Sequence, residues 1–147
     1  MSYYKYKNKR LFVENKSILS LSKRIKTPFY LYSGSQLKNN YLNFTKIFKK
    51  INPLICFSVK SNSNPFILKS LKNLGSGADV VSSGELLKAL KAGIKPNKIV
   101  FSGVGKSEEE IKLAINNKIL LINIESESEA ILINKISKKG NKKTSVG

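Results

Sequence analysis

The sequence has little of several features that define whole classes of protein. It has one cysteine, Cys56, which lies in an apolar run and cannot form a disulfide within the chain, as is typical of a reducing compartment. No apolar stretch approaches the roughly 18 residues needed to span a bilayer. The basic amino terminus reaches Glu14 directly after the short apolar run at residues 11–13, so we expect no secretory signal. These absences predict a cytoplasmic protein without a membrane segment.

Arginine is also scarce, although the chain is strongly basic. The formal net charge is +18, yet only Arg10 and Arg24 among the 27 basic residues are arginine. Proteins that bind phosphates and bases tightly usually use arginine, and the lysines here are scattered, mostly where a helix would face solvent. We therefore expect no specific nucleic-acid partner, and a basic nucleic-acid-binding module stays a minor alternative. With 41% hydrophobic residues, the 147-residue chain can form a domain with a core.

A strand-and-helix pattern repeats along the chain. Four short apolar runs, at residues 53–59, 78–82, 98–102 and 120–125, are each followed by a polar turn and an amphipathic segment. Helix-start signals accompany them: Asn64 before Pro65, a predicted cap at Ser83, and two capping-box sequences, SEEE at 107–110 and SESE at 126–129. Alternating strands and helices with short connections predict a parallel sheet. Either a doubly wound sheet or a (β/α)8 barrel satisfies this pattern.

Two further elements are predicted ahead of the first repeat. Residues 27–32 have the composition of a strand, and a helix follows from about residue 35 to residue 50, with apolar side chains at helical spacing. Upstream lies a basic lead-in. Its only strand-like run, residues 11–13, has no obvious partner in the chain.

Lys60 ends the first of the four apolar runs. In a strand over residues 54–60, alternation places Phe57 and Val59 toward the helices and Ser58 and Lys60 toward the barrel interior. The carboxyl ends of the strands are where barrel enzymes keep their catalytic groups. A lysine partly withdrawn from water there can act as a nucleophile toward a carbonyl, such as the aldehyde of pyridoxal phosphate. On spacing alone, a solvated lysine at a strand end is the favoured interpretation, because the chain has 25 lysines.

Asp79, in the next strand, is either a site residue or a solvent-exposed polar group. It stands in the short apolar stretch GADVVSS, residues 77–83, where a lone carboxylate is costly to bury unless it is paired. Lys60 on the adjacent strand is a natural partner. An aspartate that is exposed at the strand edge, or that caps the following turn, fits the sequence equally well.

The third candidate, SGVGKS at residues 102–107, imitates the end of a phosphate-binding P-loop. The full P-loop pattern needs a glycine at position 100, which is Val100 here. A P-loop kinase or ATPase is therefore not expected, and a tight glycine turn between a strand and a capped helix accounts for the motif. Glu125 ends the fourth strand, where it either faces the same end of the sheet or caps the next helix.

Five motifs follow one another in order, within a likeness to a known family that runs from about residue 11 to about residue 136. They are TPFYLYS (27–33), FSVKSNSN (57–64), GSGADVVSSGEL (75–86), KIVFSGVGKS (98–107) and INIESE (122–127). Together they resemble the diaminopimelate decarboxylases, which are pyridoxal-phosphate enzymes of fold type III, the alanine-racemase-like group. The FSGVGK and NIESE stretches are most similar to this branch, whereas ornithine and arginine decarboxylases share mainly the lysine and Gly-Ala-Asp strands. Ser58 and Ser61 stand where alanine is common in the family.

The resemblance implies a cofactor, a reaction and two site residues. Lys60 would be the catalytic lysine that bonds to pyridoxal 5'-phosphate, and Asp79 would lie beside it and the cofactor. The implied reaction is decarboxylation of meso-2,6-diaminopimelate to L-lysine and CO2, the last step of lysine biosynthesis, with no metal. Another basic amino-acid decarboxylase of fold type III, or a non-catalytic barrel protein that binds the cofactor, stays as an alternative.

The resemblance covers only the first part of such an enzyme. It implies a lead-in at residues 1–26, whose strand normally pairs with an absent carboxy-terminal β domain, and about four β/α units of an incomplete TIM-type barrel at residues 27–147. By family expectation, the cofactor-stacking histidine, the phosphate loop, the acid at the ring nitrogen and the residues of a dimer-shared site are absent. The chain indeed has no histidine. We therefore expect an inactive amino-terminal portion of an enzyme that is a homodimer at full length.

Overall fold

The computed structural model describes residues 3–147, which form two compact units. The first ends at Phe48, and the second comprises Lys49–Gly147. The predicted division after residue 26 follows family domains rather than compactness, and it stays a prediction. No helix among the described residues is long and apolar enough to cross a bilayer.

The first unit contains a three-stranded antiparallel sheet and two helices. Its elements are β1 (Tyr4–Lys7), β2 (Arg10–Val13), β3 (Lys16–Ser17), α1 (Ile18–Ser22) and α2 (Gly34–Ile47). The expectation that residues 11–13 lack a partner is wrong, because Phe12 pairs with Lys5 on one side and with Ser17 on the other. Asn8 and Lys9 adopt left-handed backbone angles, with φ of 48° and 61°, which let the chain fold back as a tight hairpin.

The strand predicted at residues 27–32 is absent. This segment has no regular hydrogen-bonded ladder, and the Leu31 carbonyl accepts a hydrogen bond from the Tyr4 hydroxyl at 3.1 Å. An extended apolar segment becomes a strand only where a neighbouring strand pairs with its backbone, and no described strand does so here. The helix prediction that follows is confirmed by α2, which begins after Ser33. The Ser33 hydroxyl caps it by accepting from the Gln36 backbone N–H.

The second unit is built on a parallel sheet. Its strands are β4 (Cys56–Ser58), β5 (Gly77–Val80), β6 (Ile99–Phe101) and β7 (Leu121–Ile122), and its helices are α3 (Pro65–Asn73), α4 (Ser83–Lys91), α5 (Glu108–Asn116) and α6 (Glu127–Lys139). The strand order equals the chain order. A doubly wound sheet reverses its order near the middle, whereas a barrel does not. Of the two architectures that the sequence allowed, the incomplete barrel is therefore confirmed. Val146 also pairs in parallel with Ile122, beyond the fourth strand.

The core lies between this sheet and its helices. Alternate strand residues are fully buried against the helices, among them Ala78, Val80, Ile99, Phe101 and Ile122. Burial of each large apolar side chain stabilises the fold by about 1.5–3 kcal/mol. The intervening strand residues, such as Ser58, Asp79 and Val100, point to the opposite face and are only half-buried. The polar candidates therefore lie on the sheet face that the helices leave uncovered.

Side-chain caps start each of the four α-helices of the second unit. The hydroxyl of Ser107 and the carboxylate of Glu110 form the predicted capping box at α5. The cap of α4 is Ser82 rather than the predicted Ser83, because its hydroxyl accepts from the Glu85 N–H at 3.3 Å. These caps fix where each loop at the carboxyl end of the sheet stops.

Candidate active site

Lys60 lies immediately beyond β4, in a short 3₁₀ turn at Val59–Ser61. The fully buried Val59 anchors the turn, and the Ser61 hydroxyl donates to the Ser58 carbonyl at 2.7 Å. Lys60 therefore lies at the carboxyl end of a parallel strand, as predicted. Its side chain is exposed, however, and the expectation that it is partly withdrawn from water is wrong for the described residues. The strand stops at Ser58 because the turn takes the backbone out of the sheet.

Asp79, the only aspartate in the sequence, lies in β5 directly across from Ser58. Its Oδ1 accepts from the Ser102 hydroxyl at 2.5 Å, and its Oδ2 has a longer contact with the Ser58 hydroxyl at 3.5 Å. The predicted ion pair between Lys60 and Asp79 is not formed within residues 3–147. The turn that ends β4 carries the lysine off the sheet, so hydroxyl groups bind the carboxylate instead.

The contacts of Asp79 continue across the two remaining strands. Asn123 Nδ2 donates to Ser102 Oγ at 3.0 Å, which completes a row of four side chains on neighbouring strands or strand ends: Ser58, Asp79, Ser102 and Asn123. The ladder holds the last two in place, since the Ser102 N–H donates to the Val80 carbonyl and the Asn123 N–H donates to the Phe101 carbonyl. We call this set the polar row.

The sequence predicts no contact with Asp79 for Ser102 or Asn123. Ser102 is only the first residue of the P-loop-like motif, and Asn123 lies within the motif INIESE. A signal was nevertheless present, because each follows a buried strand residue and so shares the alternation of Asp79. Only the stagger between the strands shows that Asp79 meets Ser102 rather than its register partner Val100.

The lysine of the P-loop-like motif is a structural group. Lys106 is buried, and its ammonium donates to both carboxylate oxygens of Glu129, at 3.1 and 3.0 Å, and to the carbonyls of Gly103 and Asn123, each at 2.7 Å. A lysine with these four acceptors is not available to a phosphate. The prediction of a tight turn rather than a P-loop is thus borne out by the contacts of Lys106.

Carboxylates of the helix starts also bind backbone N–H groups of the loops. Glu110 accepts from Ser83 N at 2.8 Å and from Ser107 N at 3.1 Å, and these bonds, first that of Ser83, hold the pKa of Glu110 below its usual range. Glu125 accepts from Gly103 N at 3.2 Å, so it ties two loops and does not cap α6, whose cap is Ser126. These hydrogen bonds connect neighbouring loops at the carboxyl ends of the strands.

The chemistry of the candidate site follows from its two kinds of group. Lys60 presents a primary amine to solvent, and no ion pair occupies it within residues 3–147. An accessible amine of this kind can condense with an aldehyde. Asp79 supplies a carboxylate on the adjacent strand. The class of protein is therefore a barrel-type α/β protein with an accessible lysine and a carboxylate at the carboxyl ends of neighbouring strands.

The chain belongs to the pyridoxal-dependent decarboxylases. The family model of their pyridoxal-binding domain matches residues 34–146, which include Lys60, Asp79 and the rest of the polar row.

Comparison with individual proteins gives a more particular likeness. The chain is 42% identical to the diaminopimelate decarboxylase of Aquifex aeolicus over 98% of its own length and 34% of the relative's, and 55% identical to that of Helicobacter pylori strain J99 over 76% of the chain and 28% of the relative. It superposes on the crystal structure of AQ1208 from Aquifex aeolicus with a TM-score of 0.95, at 42% identity, covering 99% of this chain and 36% of that one. The chain thus spans about a third of the length of these relatives.

A solved structure with a bound ligand is also similar. The Helicobacter pylori diaminopimelate decarboxylase complexed with L-lysine matches with a TM-score of 0.85 at 48% identity, covering 87% of this chain and 32% of that one. The resemblance to diaminopimelate decarboxylases that the five motifs indicate is confirmed.

Proposed function

We propose that this chain forms the cofactor-lysine part of a pyridoxal-phosphate-dependent decarboxylase that converts meso-2,6-diaminopimelate to L-lysine and CO2. The relatives named above carry this activity in their names, and one of them is complexed with L-lysine. A cytoplasmic location and a homodimer at full length belong to the same proposal. Because the chain spans about a third of its relatives, we expect no decarboxylation from the 147 residues alone.

The observation that carries the proposal is the placement of Lys60. Its exposed amine lies directly after a parallel strand of a barrel sheet, one strand away from the carboxylate of Asp79. Lys60 would hold the cofactor through its amine, and Asp79 would present a negative charge toward the cationic nitrogens bound beside it. When bound, pyridoxal phosphate supplies an electron sink for the charge left on the α-carbon as CO2 departs.

Trapping of the cofactor tests the role of Lys60. The purified chain is incubated with substoichiometric pyridoxal phosphate, reduced with borohydride, digested and examined by mass spectrometry. We expect the reduced cofactor to be concentrated on Lys60, above the other 24 lysines. Lys60→Arg should remove this label, and Lys69→Arg, a matched change at an exposed lysine of α3, should leave it unchanged. An even spread of label over the surface lysines would contradict the proposal.

A chimera tests the reaction itself. Residues 1–147 are joined to the remaining part of the Aquifex aeolicus relative, to which they are 42% identical, and formation of L-lysine from meso-2,6-diaminopimelate is measured. We expect activity in the chimera and in its Lys69→Ala variant, and none above background with Lys60→Ala. A folded chimera that binds the cofactor but decarboxylates another amino acid would overturn the substrate assignment.

A further inference from the structure

We infer that Ser102 and Asn123 are positioning residues that hold the carboxylate of Asp79 in one orientation beside the cofactor lysine. The inference rests on the proposed function, because it assigns work to the site of Lys60. It adds two residues that neither the sequence motifs nor the placement of Lys60 assigns. Its basis is the direction of the hydrogen bonds in the polar row.

The hydrogen bonds of the polar row are all donated in the direction of Asp79. Asn123 Nδ2 can only donate, and it donates to the oxygen of Ser102 at 3.0 Å. The single hydroxyl proton of Ser102 is then directed to Asp79 Oδ1 at 2.5 Å. The carboxylate of Asp79 accepts at both of its oxygens, one from Ser102 and one from Ser58, so the hydrogen bonds of the row end on it. A hydroxyl-to-carboxylate bond of this length is of the strong, charge-assisted kind.

The position of this carboxylate connects it with Lys60. Ser58 is the register partner of Asp79, and Lys60 follows Ser58 by two residues within the tight turn. A long lysine side chain that leaves this turn, and any group bonded to its nitrogen, experiences the charge of Asp79 across one strand spacing. The carboxylate lies on the half-buried face of the sheet, where water screens the charge less than at a fully exposed site.

The hydroxyl of Ser102 has no comparable task in the fold. The Ser102 backbone N–H already joins the ladder by donating to the Val80 carbonyl at 2.8 Å, and Ile99 and Phe101 supply the buried side chains of this strand. The strand end is therefore held without the hydroxyl. What the hydroxyl alone does is bind Asp79 and accept from Asn123.

A double-mutant cycle tests the inference on the full 147-residue chain. The apparent affinity for pyridoxal phosphate is measured as borohydride-trapped label at Lys60 against cofactor concentration. We expect Ser102→Ala to weaken it about tenfold and Asn123→Ala about fivefold, as for loss of a charged and a neutral hydrogen bond. Ser102→Thr, which keeps the hydroxyl, should restore the wild-type value. Asp79→Asn should weaken binding at least as much as Ser102→Ala.

The decisive variant is Ser102→Ala combined with Asp79→Asn. If Ser102 acts only through Asp79, the double variant binds no worse than Asp79→Asn alone. Additive losses, or equal losses in Ser102→Thr and Ser102→Ala, would overturn the inference. Ser70→Ala, which removes an exposed hydroxyl on α3, is the matched control and should change nothing.

If the wild-type chain itself shows no preference for Lys60, the proposed function fails. If it does and Ser102→Ala labels normally, only this inference fails.

Discussion

Among the glycines, Gly77 has the least room for a side chain. A Cβ built on it would lie 2.3 Å from the Lys98 carbonyl oxygen and 2.8 Å from the Cys56 sulfur, closer than real Cβ atoms approach. The carbonyl oxygen of Lys98 belongs to the backbone just before β6. Backbone atoms cannot rotate out of the way as the end of a flexible side chain can. Gly77 therefore permits the close approach of β5 to its neighbours, and with it the placement of Asp79 two residues later.

Gly77→Ala should lower the free energy of unfolding by about 1–3 kcal/mol, since the new methyl group has to push strands apart. Urea unfolding followed by circular dichroism measures this. The matched control is Gly84→Ala in α4, where the nearest atom to a new Cβ lies 3.9 Å away. We expect the control to be unchanged or up to about 1 kcal/mol more stable, because alanine favours a helix. Equal effects at the two glycines would refute the steric argument.

Between secondary-structure elements, the main polar link is the Lys106–Glu129 ion pair. It joins the loop after β6 to the first turn of α6, and the two side chains are only 2% and 8% exposed. The carboxylate of Glu129 also accepts from Glu125 N at 2.9 Å, so it does not reach back to its own N-cap residue as the sequence SESE predicts. The pairing with Lys106 takes the place of the second capping box.

Lys106→Met should cost about 3–5 kcal/mol, because it leaves the Glu129 carboxylate buried without a cation. The double variant Lys106→Met with Glu129→Met should recover part of this loss, since no charge is then buried. Urea midpoints of the two variants compare them directly.

The control for this prediction is the other ion pair of the second unit. Lys112 and Glu108 lie 2.6 Å apart at i and i+4 of α5, and their side chains are 47% and 51% exposed. Lys112→Met should lower the urea midpoint far less than Lys106→Met does, because water screens an exposed pair. A Lys106→Met variant as stable as Lys112→Met would show that burial does not strengthen the first pair.

Over the complete chain, the dominant property is the positive charge. The net charge is +18, and it comes almost entirely from lysine. In the described structure only two lysines are in ion pairs with carboxylates, those at 106 and 112. A charge spread over many independent lysines attracts polyanions through counterion release and does not distinguish sequences.

We therefore expect binding to nucleic acid to be weak and blind to sequence. Fluorescence anisotropy with two unrelated duplexes and one single strand should give affinities that fall by at least about tenfold between roughly 50 and 200 mM salt. The two duplexes should bind equally at each salt concentration. Binding that resists salt and prefers one duplex would instead favour the nucleic-acid-binding alternative.

Local sequence patterns were sufficient for much of this protein. The capping box of α5, the four parallel β/α repeats and the position of Lys60 at the end of a strand follow from alternation and capping chemistry, which act over a few residues. The five ordered motifs indicated the family, which the comparisons confirm. The prediction of a strand at residues 27–32 was wrong. A strand forms only where a second strand pairs with it, and the local sequence does not determine that pairing.

Three features depend on contacts between segments distant in sequence, so only the tertiary structure decides them. The order of the strands, which separates a barrel from a doubly wound sheet, is set by which elements pack together. The stagger of neighbouring strands brings Ser102 to Asp79 across 23 positions, and the burial of Lys106 gives it Glu129 as a partner instead of a phosphate. Motifs and caps depend on residues that are neighbours in the sequence, whereas the orientation of a carboxylate depends on the atoms that surround it after the chain has folded.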